Sequence, residues 1–583
     1  MRILWFGVNA GLVPAFTLES HLANGLALSG DQVLRVACDG IFSDYCPVMQ
    51  AQQFGPGAPK SQKKTACRKC KTISQAASSA SAYQTTSLEN YLLPEDHAAV
   101  AELIDQVTHE NWHELEVADI PVGRYATYLV MLRYKVSDVT ASKEAWDEYL
   151  IDLRNALLTL RVVPRIVDEF RPTHAMVYNP LYPTNRMFVE TAKHLGIQVV
   201  SITVGNYIPN RYRCLAIYPH ISASQTARDS RSVIEALHQP CSREEISGVV
   251  NQIRALTEAR DPWVYSSVSG EISTDAVKEL LNLRPAAPAV LALVASPDET
   301  RSSALVDAEY ERSSSHQVSD VPEFVQATVD LAKRNPDLDV ILRLHPRLAP
   351  NKRERTTSPD LALIMDLLTD TPPNLHINKP SDRIGLYDVM RVTSVGLNQS
   401  SSAGLELLTM GIPVVHYDPI RLNAYPPELG LSVEPRDPES LDRVVRLALT
   451  HGFDSSFSVR AFRWHAVTLL RCLVHRDSQY VQTEPSQQEP SPTRTVVRVK
   501  KLVPETVRAR AAGWLALRQD KRQMHPQPVV EPWVKEARER IQMLDGGPLW
   551  NPIVRPRGVP LADDSAEVLA ALDALKAELG FTG

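Results

Sequence analysis

Val340-Ile-Leu-Arg-Leu-His345-Pro346-Arg347 is an apolar run that ends in an imidazole, a proline and a cation. A short run rich in aliphatic side chains predicts a strand covered on both faces, and Pro346 stops it. The predicted strand Leu338–Leu344 is preceded by the predicted strand Ala289–Ala295 and the helix Val321–Asn335. It is followed by a helix at 357–369, strand His376–Asn378, helix Asp382–Arg391, strand Thr393–Asn398, helix Ser402–Met410 and strand Ile412–Tyr417. Strands alternating with helices build a parallel sheet with helices on both faces.

The chain opens in the same way. Arg2–Gly7 reads as strand, Phe16–Ser29 as helix and Gln32–Cys38 as strand, with Gly30-Asp31 as the turn. Thr173–Tyr178, Thr184–Leu195 and Ile197–Thr203 repeat the strand–helix–strand order. Between them, 47–90 is rich in Gln, Ser, Ala, Gly and Lys and reads as irregular. Helical spacing returns at Trp146, Tyr149, Leu150, Leu153, Leu157 and Leu160. The expected organisation is an α/β protein of two Rossmann-like domains facing across a cleft, with a C-terminal extension. The first domain spans 1–225 with a cysteine-containing insertion at 38–90. A helical connection (226–284), a second domain (285–480), a linker (481–500) and the extension (501–583) follow.

The 583 residues are 44% apolar and 6% aromatic, with net charge −6. Without a sustained basic face, nucleic acid is excluded as the main partner, because such binders neutralise phosphates with clustered Lys and Arg. No run of about 18 apolar residues predicts a membrane span, and the first residues lack a secretory pattern. Seven cysteines, unevenly placed, suit a reducing compartment. These features predict a cytoplasmic protein.

Three segments carry chemistry. Arg343, His345 and Pro346 fall at the carboxyl end of a strand, the edge where open α/β sheets bind ligands. There His345 either donates to a phosphate, protonates a leaving group, or serves the turn alone. Ser400, Ser401 and Ser402 lie where a strand meets a helix, so their hydroxyls either converge on an anion or cap the helix. Gly404 leaves room for a nucleotide, and Glu406 is placed to accept from sugar hydroxyls. Asp298 and Glu299 follow the strand that opens the second domain, either as a base for an acceptor hydroxyl or as a solvated turn. On the first domain, Asn9 and Asn179 are the acceptor-side candidates.

Four cysteines stand apart from this. Cys67-Arg-Lys-Cys70, with Cys38 and Cys46 upstream, reads either as a four-thiolate structural zinc site or as free thiols. Gln482–Thr493 carries three prolines and reads as a flexible linker. Arg494–Gln523 has nine Lys and Arg against two acids, and fits a helix that either packs on the body or touches an anionic inner membrane surface.

The runs SPDE (296–299), RLHP (343–346), IGLYDVM (384–390) and SSSAGLELLTMGIPVVHYD (400–418) resemble the bacterial capsule polysaccharide biosynthesis family and related GT-B glycosyltransferases, which include Kdo and sialic acid transferases. The likeness covers roughly 285–430 and is looser over 1–225. It implies a nucleotide-sugar donor of CMP or UDP type, a polysaccharide or lipid-linked acceptor, and no catalytic metal. It also implies that Asp298 or Glu299 is the base, that His345 attends the donor phosphate, and that two of the three serines hold that phosphate. Where the Kdo-transferring members carry a glutamine before the acid, Ser296 and Pro297 stand here. A polyol-phosphate transferase, a GT-B sugar epimerase and a non-catalytic scaffold of a polysaccharide-synthesis complex are the other readings.

Overall fold

A computed structural model describes residues 1–219, 231–259, 261, 264–306, 321–351, 354–417, 425–426, 429–432, 437–452, 454–476, 530–544, 554 and 556–581. The proline-rich linker and the basic stretch at 494–523 lie outside these residues. The strands are β1 (Arg2–Phe6), β2 (Gln32–Ala37), β3 (Gln84–Ser87), β4 (His174–Tyr178), β5 (Gln198–Val204) and β6 (Cys214–Tyr218). They continue with β7 (Ala289–Leu293), β8 (Asp339–Arg343), β9 (Leu375–Asn378), β10 (Val395–Asn398), β11 (Val414–His416), β12 (Leu431–Ser432) and β13 (Val474–His475).

Two sheets result. The first runs β13-β6-β5-β4-β1-β2-β3 and the second β12-β11-β10-β7-β8-β9. All pairs are parallel except β5–β6 and β6–β13. Every residue of β7 and β8 is buried, as expected for parallel strands covered by helices on both faces. Strand order reverses at β1/β4 in the first sheet and at β7/β10 in the second. Such switch points open a crevice beyond the carboxyl ends of the strands. The protein is thus α/β with two Rossmann-like sheets.

The long helix Lys143–Phe170 buries Tyr149, Leu153 and Leu157 as the spacing predicts. The insertion differs from its reading as irregular: Lys60–Ser79 is a 20-residue helix. Only Ala66 and Ala77 are buried along it, so no apolar stripe marks it, while its Lys, Gln, Ala and Arg all favour helix.

The chain's last parts return to both sheets. β13 pairs with β6 of the first sheet. The helix Pro532–Met543 lies against Val13–Leu28, where a Cβ on Gly25 would stand 2.6 Å from Val534. The helix Ser565–Glu578 buries Val568, Leu572 and Leu575 in the core shared with Arg243–Thr257 and Ser455–Ala466. Among the described residues, no helix is long and apolar enough to cross a membrane.

One buried ion pair holds this return path. Arg471 donates from Nε to Glu245 Oε1 at 2.8 Å and from Nη2 to Oε2 at 2.7 Å, and both side chains are fully buried. Removing one partner leaves an unpaired charge in a dry environment, which costs about 3–5 kcal/mol. Glu245→Ala should therefore lower stability by about that amount, read as a shift in the urea midpoint. A midpoint unchanged from the parent would show that the pair does not hold the return path.

Candidate functional site

The second sheet's switch point carries most of the predicted residues. Beyond β7, Ser296 leads into the helix Pro297–Val306, and beyond β8 lies the short turn Pro346–Leu348. Beyond β10, Asn398 leads to the helix Ala403–Thr409. A cavity of about 190 Å³ between them is lined by Arg343, His345, Pro346, Ser401, Ser402 and Glu406, with Tyr265, Ser266 and Tyr387. Ile208, which follows β5, also lines it, so the carboxyl edges of the two sheets face each other here.

His345 is held in one protonation state. Its Nδ1 accepts the Arg347 N–H at 3.2 Å, which leaves the ring proton on Nε2. Burial, together with the Arg347, Arg343 and Lys135 charges, lowers its pKa to about 3 against the pull of Asp298. At neutral pH the ring is therefore an uncharged N–H donor, not an imidazolium acid. Of the roles the sequence leaves open, this state suits a hydrogen-bond donor to a phosphate rather than a proton source.

Arg343 supplies the cation. It donates to Asn378 Oδ1, to Ile384 O at 3.2 Å and to Ser266 Oγ at 3.4 Å. Burial lowers its pKa to about 10, so it stays charged at neutral pH. Glu406 lies opposite, with the Tyr387 hydroxyl beside it. Desolvation raises its carboxyl to about 7, against the effects of Tyr387 and Arg343.

The serines divide. Ser401 and Ser402 line the cavity, and Ser400 does not. Ser401 Oγ accepts from Ala403 N at 3.2 Å, so the capping contact comes from Ser401, while Ser402 makes no side-chain cap bond. Gly404 needs its small size for packing rather than for a nucleotide. A Cβ there would lie 1.9 Å from the Tyr425 hydroxyl and 2.4 Å from Asn398 Nδ2.

The two acids are not equivalent. Asp298 is 1% exposed, accepts the Ser296 hydroxyl at 2.7 Å and is paired with Arg347. Both of its oxygens are engaged. Glu299 keeps 44% of its side chain open and lies 3.5 Å from Arg347 Nε. Desolvation within the cleft, aided by Asp298 and Glu354, raises its carboxyl against the pull of Arg347. The helix Tyr128–Tyr134 packs against Pro297–Val306, the helix that carries Glu299, and so brings the first sheet's half of the protein to this acid.

On that side, Asn9 and Asn179 follow β1 and β4, at the first sheet's switch point. Asn179 adopts a left-handed φ of 43°, and its Oδ1 accepts Leu181 N at 3.3 Å. It shapes the turn. Asn9 O accepts Leu12 N at 2.9 Å, which does the same for the first loop.

The four cysteines are not gathered as zinc ligands. Among the described residues, no three His, Cys, Asp or Glu side chains are placed to hold a metal ion. Cys38, Cys67 and Cys70 border one cavity, while Cys38 and Cys46 also pack against one apolar cluster and Cys70 against another. Burial raises the Cys38 thiol to about 12 and also raises Cys46, Cys67 and Cys70.

Several site residues carried no usable signal in the sequence. Tyr265 and Ser266 come from the connection between the domains, and Asn398 and Tyr425 brace Gly404 from a distance. Arg347, directly after His-Pro, was the one whose position offered a hint.

No family model and no curated protein matches this chain. Among solved structures, it is similar to the calicheamicin glycosyltransferase CalG4, at 15% identity over 80% of this chain and 93% of that one, with a TM-score of 0.26. It is also similar to the beta Kdo 2,4 transferase KpsC of Thermosulfurimonas dismutans, at 14% identity over 42% and 69%, TM-score 0.26. The UDP-GlcNAc 2-epimerase of Neisseria meningitidis bound to UDP-GlcNAc is matched at 11% identity over 80% and 96%, TM-score 0.24. At these TM-scores the fold description rests on the two sheets themselves.

The raised Glu406 carboxyl has a stability consequence. A folded pKa near 7 against an ordinary 4.5 means that the neutral form supports the fold. That contribution is full below about 4.5 and is lost as pH rises through about 7. Glu406→Gln keeps the neutral shape, so from pH 5 to 8 its melting temperature should gain on the parent by roughly 2–4 °C. Parallel pH profiles for the two proteins would contradict the raised pKa.

Proposed function

We propose that the protein is a glycosyltransferase of GT-B type, moving a sugar from a nucleotide-activated donor to an acceptor hydroxyl. The observation that carries this reading is one cavity edge holding a buried Arg343 cation, a neutral His345 Nε2–H and the Ser401 and Ser402 hydroxyls, with a partly open carboxylate, Glu299, 3.5 Å from Arg347 in the turn just past Pro346. A cation and neutral donors fixed in a dry crevice suit a phosphate whose negative charge grows as a bond to it breaks.

In this reading the second domain, within 285–480, binds the donor, and the first, within 1–225, presents the acceptor. Glu299 takes the proton of the acceptor hydroxyl. The acceptor oxygen forms the new bond to the anomeric carbon as the bond from that carbon to the phosphate oxygen breaks. The nucleotide leaves with the electron pair, and Arg343, His345 and the two serines stabilise its charge. Glu406 accepts hydroxyls of the donor's ribose or sugar. Asp298 is not the base in this scheme, because Arg347 and Ser296 already occupy it. The donor is a UDP- or CMP-sugar and the acceptor a surface polysaccharide or lipid-linked saccharide, as the sequence resemblance implies.

The test has two stages. Calorimetric titration with UDP, CMP and GDP should find one nucleotide that binds with a Kd in the micromolar to low millimolar range. With the corresponding donor and an acceptor saccharide, Glu299→Gln should lose at least about a hundredfold in turnover while binding that nucleotide as tightly as the parent. His345→Ala should bind it at least about tenfold more weakly, the loss of one charge-assisted hydrogen bond. Binding of none of the three would overturn the donor site. Transfer by Glu299→Gln at the parental rate would remove Glu299 as base.

A further inference from the structure

Lys135 belongs to the first domain, yet its side chain ends in the second. It closes the helix Tyr128–Tyr134 in a left-handed conformation, φ 55°, which a non-glycine residue adopts at a cost. That backbone turn carries the lysine into the domain junction, where the residue is 0% exposed. Its Nζ donates to Thr356 O at 2.6 Å, to Ala349 O at 3.2 Å and to Arg347 O, and lies 3.4 Å from Glu354 Oε2. An ammonium has three protons, and three carbonyls of one loop take them.

The stitch is doubled. Ser358 Oγ donates to Lys135 O at 3.4 Å, and Arg347 Nη2 donates to Leu132 O at 3.3 Å. All of these partners lie in 347–358, the loop that follows His345-Pro346. A buried ion pair alone is a weak source of stability, and an apolar pair of similar volume serves packing as well or better. What an apolar pair cannot do is fix the direction of three backbone carbonyls. Arg347 is the connecting residue, because its carbonyl accepts from Lys135 while its N–H, on the preceding peptide group, donates to His345 Nδ1.

We infer that Lys135 is a positioning residue: from the first domain it clamps the loop after β8 and thereby aims the His345 Nε2–H at the donor phosphate. This rests on the reading of the cavity as a nucleotide site. The competence of the donor site then depends on the pairing of the two domains. Without the lysine, the loop's carbonyls lose their common donor, the backbone at Arg347 is less tightly fixed, and the N–H that orients the imidazole shifts with it. Asp298, Glu354 and Tyr265 still hold the Arg347 side chain, so the loop stays attached.

The test uses the full chain and UDP and CMP as probes, at a temperature well below the melting transition. Lys135→Met should bind the nucleotide that the parent prefers at least tenfold more weakly. Lys143→Met, which removes an exposed first-domain lysine paired with Asp147 at the surface, should bind it as the parent does. A lysine that served stability alone would lower the melting temperature and leave the affinity of the folded protein unchanged, and that result would overturn the inference. If Lys135→Met fails to fold, hydrogen exchange on the parent decides. Nucleotide should slow exchange both in 345–349 and across the junction in 132–136, whereas protection confined to 345–349 would overturn the clamp. A parent that binds neither probe would sink the donor-site reading, a result distinct from either.

Discussion

The site depends on where one guanidinium is buried. Arg347 is 3% exposed and reaches in five directions: to the Asp298 carboxylate, to Glu354, to Ser296 Oγ at 3.1 Å, to the Tyr265 hydroxyl at 2.9 Å and to Leu132 O in the first domain. Burial would lower its pKa, but the acids around it hold it above the ordinary arginine value. A charge this far from water is tolerable only when its donors are all taken, and a planar fork with five N–H groups can serve that many partners. The consequences spread outward. Asp298 is occupied, Glu299 is left as the open carboxylate, and His345 is kept uncharged by its burial and by the cation next to it.

The fold places these groups by topology rather than by proximity in sequence. β7 has β8 on one side and β10 on the other, so the loops after these three strands meet at a single rim. Ser296, His345 and Ser401 each stand a few residues past their strand. The first sheet repeats the device at β1 and β4, and the Tyr128–Tyr134 helix brings it against Glu299. The late strand β13 and the two C-terminal helices then tie the end of the chain back to both halves.

The strands at the centre of the second sheet were legible because burial on both faces writes them as unbroken apolar runs, as in Ala289–Leu293 and Val340–Leu342. The polar residues at their ends stood out against those runs, and this is why Arg343, His345, Ser401 and Glu406 could be picked before any geometry. Their states could not be picked. The neutrality of His345 follows from its burial and from Arg347, the occupation of Asp298 follows from Arg347, and such contacts leave no periodic trace. Gly404 looked like space for a ligand because the sequence does not show that Tyr425 and Asn398 fill it. The Lys60–Ser79 helix was hidden for the opposite reason: it buries two alanines and so carries no stripe. The four cysteines had a metal-like spacing, but among the described residues no three metal-ligating side chains are placed to hold an ion.

The neutral, singly oriented imidazole is the feature from which the proposed chemistry follows. Nitrogen-15 NMR of the His345 ring across pH 5 to 8 tests it most directly, since the two ring nitrogens report protonation and tautomer separately. The account predicts an uncharged ring with its proton on Nε2 throughout that range, unmoved by pH. A ring that titrates near the ordinary value of 6.5, or one protonated at Nδ1, would contradict it.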